Sequence, residues 1–150
     1  MSEHRATIAW KRTTPDFGYD TYNRQHEWVI EGGLAIPASS APEYRGHKDR
    51  LDPERALVGA LSSCHMLTFL AIAARKKFVV DAYDDDAVGV MTKNEKGKMW
   101  VSHVTLHPRI TFGGDHRPSA EEIAAMHHSA HENCFIANSV MTQVVVEPAA

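Results

Sequence analysis

Cysteine is scarce in this 150-residue chain: only Cys64 and Cys134 occur. A small secreted scaffold held by disulfides carries more, at regular spacings, so that class is excluded. No excess of positive charge exists either. Lys and Arg number 16 against 19 Asp and Glu, a formal net charge of -3, which argues against nucleic acid as the principal partner. The first residues, Met1-Ser2-Glu3-His4-Arg5, lack a basic start followed by an apolar run, so no signal peptide is expected. There is no Gly-rich phosphate loop and no Gly-x-Ser-x-Gly elbow, which removes nucleotide hydrolysis and serine-hydrolase chemistry. No internal repeat, low-complexity tract or linker is visible. The expectation is one soluble domain over residues 1–150 in a reducing, cytoplasmic setting, where a cysteine pair is more often chemical than structural.

What is present reads as strands, a long helix, two strands, a helix and a strand, an α+β order. Arg5–Trp10 and His26–Ile30 alternate as strands, and Gly32-Gly33 permits a tight hairpin into Leu34-Ala35-Ile36. Pro37 to Pro42 reads as loop. Asp52-Pro53-Glu54 is a strong helix start: a capping side chain, a proline at the first position, and an acid at the positive end. The helix that follows, Ala56 to Ala74, is apolar nearly all round. It approaches the length of a membrane span, but Ser62, Ser63, His65 and Thr68 interrupt it, so we read a core helix buried on every side by a second helix or a second subunit. Leu57, Ala60, Leu61, Cys64, Leu67 and Ala71 fall on one stripe of it. Arg75-Lys76-Lys77 ends it. Two long strands, Val79–Thr92 and Lys98–Phe112, flank a polar turn. A helix opens at Pro118 and runs toward Cys134, a short helical turn spans Phe135–Ser139, and Thr142–Glu147 is the last strand.

Cys64 lies mid-way along the long helix. A free cysteine there serves as a small apolar side chain unless a cation lowers its pKa. Arg45 or Arg50, in the charged stretch upstream, can supply that cation, with Glu54 orienting the guanidinium through a bidentate pair. Cys134 ends the second helix, and two thiols in a reducing compartment can act as an attacking and a resolving pair. His127 and His131 share a helix face with Cys134 one turn on, a three-ligand zinc spacing. No glutamate stands between the histidines as in metalloproteases, and scattered surface histidines are the stronger reading. His65 points about 100° away from Cys64 and reads as a packed or interface residue. Asp84-Asp85-Asp86 lacks the calcium-loop spacing and reads as a solvated strand segment.

Two motifs together resemble the OsmC/Ohr family of thiol-dependent peroxidases: Asp52-Pro53-Glu54 followed by Ala60-Leu61-Ser62-Ser63-Cys64-His65, and His131-Glu132-Asn133-Cys134. The resemblance implies an OsmC-like fold, with antiparallel sheets wrapping long central helices in an intertwined homodimer. It implies that Cys64 attacks an organic hydroperoxide in oxidative-stress defence, that Cys134 resolves, and that Glu54 pairs with an arginine, for which Arg45 is the choice over Arg50. It implies a dithiol reductant, lipoyl-type in many members, with no metal, flavin or other cofactor, and no nucleic acid or membrane partner. Phe135 stands where many members have proline, and His65 resembles a less characterised branch. The contrasting expectation is a non-catalytic dimer of the same fold that binds a small molecule or serves as a scaffold, its thiols only packing.

Overall fold

The computed structural model describes residues 1–149. They form eight strands and two α-helices, in two compact units, Met1–Ala56 and Leu57–Ala150, whose boundary falls inside the first helix.

In the first unit, β1 (Ala6–Ala9), β2 (His26–Ile30) and β3 (Leu34–Ala38) form an antiparallel meander. The β2–β3 turn needs two consecutive left-handed residues. Gly32 and Gly33, at φ 95° and 90°, supply them without a side-chain clash. Strand β3 continues through Pro37, which had read as loop. Pro37 is opposite Glu27 on an edge strand, where a missing N–H breaks no ladder. Beyond it the chain returns on itself: Ser39 N–H donates to the Leu51 carbonyl at 2.9 Å, and Leu51 N–H to that of Pro37 at 3.0 Å. The long β1–β2 connection is held by Asn23, whose side chain accepts from Thr13 N–H and donates to the Lys11 carbonyl, each at 2.8 Å. Trp10, Phe17 and Tyr22 pack as an aromatic trio on it.

Helix α1 spans Pro53–Arg75. Asp52 caps it by accepting from Arg55 N–H at 2.8 Å. At the other end Lys77 takes φ 66°, while Phe78 N–H donates to the Ala73 carbonyl and Lys77 N–H to that of Ala74. This is a Schellman termination, with a lysine where glycine is usual.

The burial of α1 differs from the expectation. Only Leu61, His65, Phe69 and Ala73, spaced every four residues, are buried. Leu67, placed on the apolar stripe, is 60% exposed, and Ala60 and Ala71 are exposed too. The helix is long and apolar enough to cross a membrane, with mean hydropathy 1.8, and only 22% of that stretch is buried within the chain. A single chain supplies partners for one face of a helix whose every face is apolar.

In the second unit the two expected long strands are each broken near the middle. They give β4 (Val79–Asp85), β5 (Val88–Lys93), β6 (Met99–Leu106) and β7 (Pro108–Gly113). Strand β4 pairs with β7, and β5 with β6, both antiparallel. The last strand, β8 (Gln143–Val146), runs parallel to β6. The connection that permits this includes helix α2 (Ala120–Asn133). Ser119 and Glu122 form a reciprocal capping box at its start. Phe69 and Ala73 of α1 pack with Phe78 and with Met126 and Ala130 of α2 over the β4–β7 face. Leu61 packs with Val104 and Leu106 of β6. Each large apolar side chain buried this way contributes about 1.5–3 kcal/mol.

Candidate functional site

Cys64 and Cys134 are both free thiols, and the fold brings them together. Cys64 is half-buried on α1, one residue from the buried His65. Cys134 is 1% exposed and is the residue at which α2 ends. Its ψ of 114° turns the backbone out of the helix, and its Sγ accepts from Ala137 N–H at 3.4 Å. The 3-10 turn Ala137–Ser139 presents that donor. Asn138 fastens the corner by donating from its side chain to the carbonyls of Glu132 and Cys134 at 2.9 and 3.1 Å.

Burial pushes the Cys134 thiol up; its hydrogen bond to Cys64 and the Cys64 charge add to this, while the Ala137 and Ile136 backbone donors oppose it. The raising contribution of Cys64 means that the two sulfurs are neighbours.

Beside this pair lies a buried polar cluster. His65 Nε2 and His127 Nδ1 are 3.0 Å apart, and the rings lie nearly parallel, at 10°. Burial lowers His65 to about 4, helped by the nearby His127 and His131 and opposed by Asp85. Burial also lowers His127 against the pull of Asp85. Both imidazoles are thus neutral at pH 7. Asp85 is not the solvated residue expected of the triple-aspartate segment. Its Oδ2 accepts from Ser62 Oγ at 2.5 Å and its Oδ1 from His107 N–H at 2.6 Å, while Asp84 and Asp86 are exposed. Tyr83 adds a buried hydroxyl with no partner among the described residues, and burial raises its phenol, with Asp85 adding to it.

The zinc spacing at His127, His131 and Cys134 is not realised. Among the described residues no three His, Cys, Asp or Glu side chains converge on a metal geometry. His127 Nδ1 is directed to His65, and Cys134 is the C-cap residue, its Sγ accepting from Ala137 N–H.

In the first unit the expected Arg45–Glu54 pair is also absent among the described residues. Arg45, at φ 66°, pairs instead with Asp20 at 2.5 Å and lies over the Tyr19 ring. Arg50 is half-buried in the wall of a cleft with Lys11 and Asn23, and makes no ion pair among the described residues. Glu54 Oε2 is buried without a partner among the described residues. It lines a cavity of about 530 Å³ with Trp10, Phe17, Tyr22, Tyr44 and Arg24. The Arg24 guanidinium lies 3.6 Å from the centre of the Tyr22 ring and donates to the Tyr22 and Tyr19 carbonyls at 2.6 Å. The cation sharing a cavity with Glu54 is thus Arg24, which the sequence did not single out. Its one signal was its place just after an aromatic-rich run.

Comparison with known proteins bears on the family and the fold. The family model described as OsmC-like protein matches residues 46–149. An OsmC-like protein of unknown function from Vibrio cholerae is 47% identical and superposes with a TM-score of 0.96, over 99% of this chain and 100% of that one. The uncharacterized protein YmaD of Bacillus subtilis is 23% identical over 129 residues, 83% of this chain and 84% of its own length. The organic hydroperoxide resistance protein OhrB of Bacillus subtilis shares the fold, with a TM-score of 0.70 at 15% identity over 99% and 98% of the two chains.

Proposed function

Because this chain belongs to the OsmC-like protein family, we propose that it is a thiol-dependent peroxidase that reduces organic hydroperoxides through Cys64 and Cys134. Family membership carries a peroxide-resistance or redox role at the coarse level; the reaction and its residues are our reading. The observation that carries it is the proximity of two free thiols from different helices. Packing alone does not require it.

In the reaction, the Cys64 thiolate attacks the distal oxygen of ROOH. The O–O bond breaks, RO⁻ leaves and takes a proton, and Cys64 becomes a sulfenic acid. The Cys134 sulfur then attacks the Cys64 sulfur. The S–O bond breaks, and the hydroxide leaves with the Cys134 proton as water, giving a disulfide. A dithiol of lipoyl type returns both cysteines to thiols and is itself oxidised to its disulfide. In the first unit Arg24 and Glu54 share an aromatic-walled cavity in which the Glu54 oxygen has no partner among the described residues, and Arg45 pairs with Asp20. The uncovered apolar faces of α1, with Leu67 60% exposed, support a homodimer in which a second copy covers them.

The test is intact mass under non-reducing conditions, before and after one equivalent of an organic hydroperoxide added to reduced protein. A loss of about two mass units with Cys64–Cys134 linkage is expected. Cys64→Ser abolishes peroxide consumption, and Cys134→Ser stops at a sulfenic acid on Cys64. Thiols that stay reduced in excess peroxide would leave the cysteines as packing residues and favour the non-catalytic dimer.

A further inference from the structure

Helix α2 ends at Cys134, and the chain must then leave it to build β8. No proline or glycine lies between Glu132 and Ser139, so neither a ring nor a left-handed glycine fixes this corner. Hydrogen bonds fix it instead. Asn138 N–H and Asn138 Nδ2 both donate to the Cys134 carbonyl, at 3.0 and 3.1 Å, and Nδ2 also donates to the Glu132 carbonyl at 2.9 Å. Ser139 N–H and Oγ donate to the carbonyls of Ile136 and Phe135. Both partners of the Asn138 amide are acceptors only, so its nitrogen and not its oxygen must face them.

This corner carries the second thiol to the first. Ile136 and Ala137 pack against the cluster that Leu61 of α1 forms with Val104 and Leu106. Leu61 and Cys64 are three residues apart on α1 and so share one side of it. With the turn docked there, the Cys134 sulfur is a neighbour of Cys64 and accepts the Ala137 N–H at 3.4 Å. The backbone of Cys134 has left the helix at ψ 114°, so helical bonds no longer fix the direction of its side chain. The amide of Asn138 does that work: it ties the last turn of α2, through Glu132, to the cysteine and to the docked turn.

We propose that Asn138 is a positioning residue for the disulfide step: by clasping Cys134 to the docked turn, it keeps the Cys134 sulfur facing Cys64. Its place in turnover rests on the peroxidase reading above; its effect on the closeness of the two sulfurs does not. Groups held in contact react as if at high local concentration, and a displacement of about 1 Å can cost such a reaction about 100-fold. Asn138 is itself exposed. Its removal therefore leaves the apolar docking of Ile136 and Ala137 in place and loosens the segment that carries the sulfur. Asn133 offers a control. Its Nδ2 donates to the Ser129 carbonyl at 2.8 Å, the same kind of bond from an exposed side chain, but wholly within α2.

The test equilibrates the full-length protein with glutathione disulfide. Cys64 and Cys134 are oxidised to their disulfide while glutathione disulfide is reduced to two glutathione thiols, and the equilibrium constant reads the effective concentration of the two sulfurs. Asn138→Ala removes the amide; Asn138→Asp keeps its shape and removes its N–H groups. Each should lower the constant about tenfold or more, whereas Asn133→Ala should keep the parent value. After one equivalent of an organic hydroperoxide, both Asn138 variants should form the Cys64 sulfenic acid at the parental rate and close the disulfide about tenfold or more slowly. No Cys64–Cys134 disulfide in the parent, a parental constant in either Asn138 variant, an equal fall in Asn133→Ala, or equal slowing of both peroxide steps would each overturn the proposal. The glutathione arm uses no peroxide, so a protein inert to hydroperoxide would sink the peroxidase reading alone.

Discussion

His65 Nε2 and His127 Nδ1 meet at 3.0 Å across a gap of 62 sequence positions, joining α1 to α2 through a polar contact inside an otherwise apolar packing. Phe69 stacks on the same His127 ring at 4.5 Å between centroids. The pair makes folding sensitive to protons, because neither imidazole is solvated well enough to charge easily.

The first prediction follows from that sensitivity. His65 falls from its ordinary 6.5 to about 4 on folding. Between those values the unfolded chain binds more protons than the folded one, so stability drops as pH is lowered through the window and is unaffected by this group above it. The loss from His65 alone is about 3 kcal/mol across the window. Urea unfolding at mildly acidic and neutral pH should show it, and His65→Leu should lose less across the same interval. Equal losses in the two proteins would contradict the assignment.

Cys134 should titrate above an ordinary thiol even without its neighbour. Burial is the largest cause of its raised pKa, and Cys64 contributes less. In Cys64→Ala, thiolate absorbance in the ultraviolet is therefore expected to rise later than for a small free thiol, though earlier than the Cys134 step in the parent protein. A Cys134 that reacts with an alkylating agent as fast as a free thiol at neutral pH would refute this.

Phe69 is fully buried and touches Tyr83 as well as His127. Phe69→Ala should destabilise the chain by about 3–5 kcal/mol, from lost burial plus a cavity. The denaturant midpoint reads this directly. A cost below about 1 kcal/mol would mean the core collapses around the gap.

Gly46 follows the left-handed Arg45 in the loop that closes on Leu51. A Cβ built on it would stand 1.6 Å from the Ser40 carbonyl oxygen, so even alanine forces the backbone apart. Gly46→Ala should cost about 1–3 kcal/mol or more, with local loss of amide protection around Ser40 and Gly46. Unchanged exchange there would show that the loop opens without strain.

How much of this was legible beforehand depends on how local the cause is. The Asp52 cap of α1, the Gly32-Gly33 turn and the strand His26–Ile30 follow from neighbouring residues and were readable. So was the promise of Cys64 and Cys134, through the motifs around them. The break of Val79–Thr92 was not, because that stretch carries no proline or strong turn signal; Pro108, at the break of Lys98–Phe112, was a signal the strand reading passed over. The Asp85 role was missed for a related reason: its partners, Ser62 and His107, come from α1 and from the break between β6 and β7.

The arginine shows the limit most clearly. Charge spacing offered Arg45 and Arg50 equally, and the fold gave Arg45 to Asp20 and placed Arg24 in the cavity of Glu54. The amino-acid sequence by itself determined the α+β order, the helix limits and the two thiols, because these rest on backbone propensity, capping and motif over a few residues. Only the tertiary structure decided which face of α1 is covered, which histidine meets which, that the two cysteines are neighbours, and which cation shares a cavity with Glu54. Those are matters of burial and distance between segments far apart along the chain, and no local pattern encodes them.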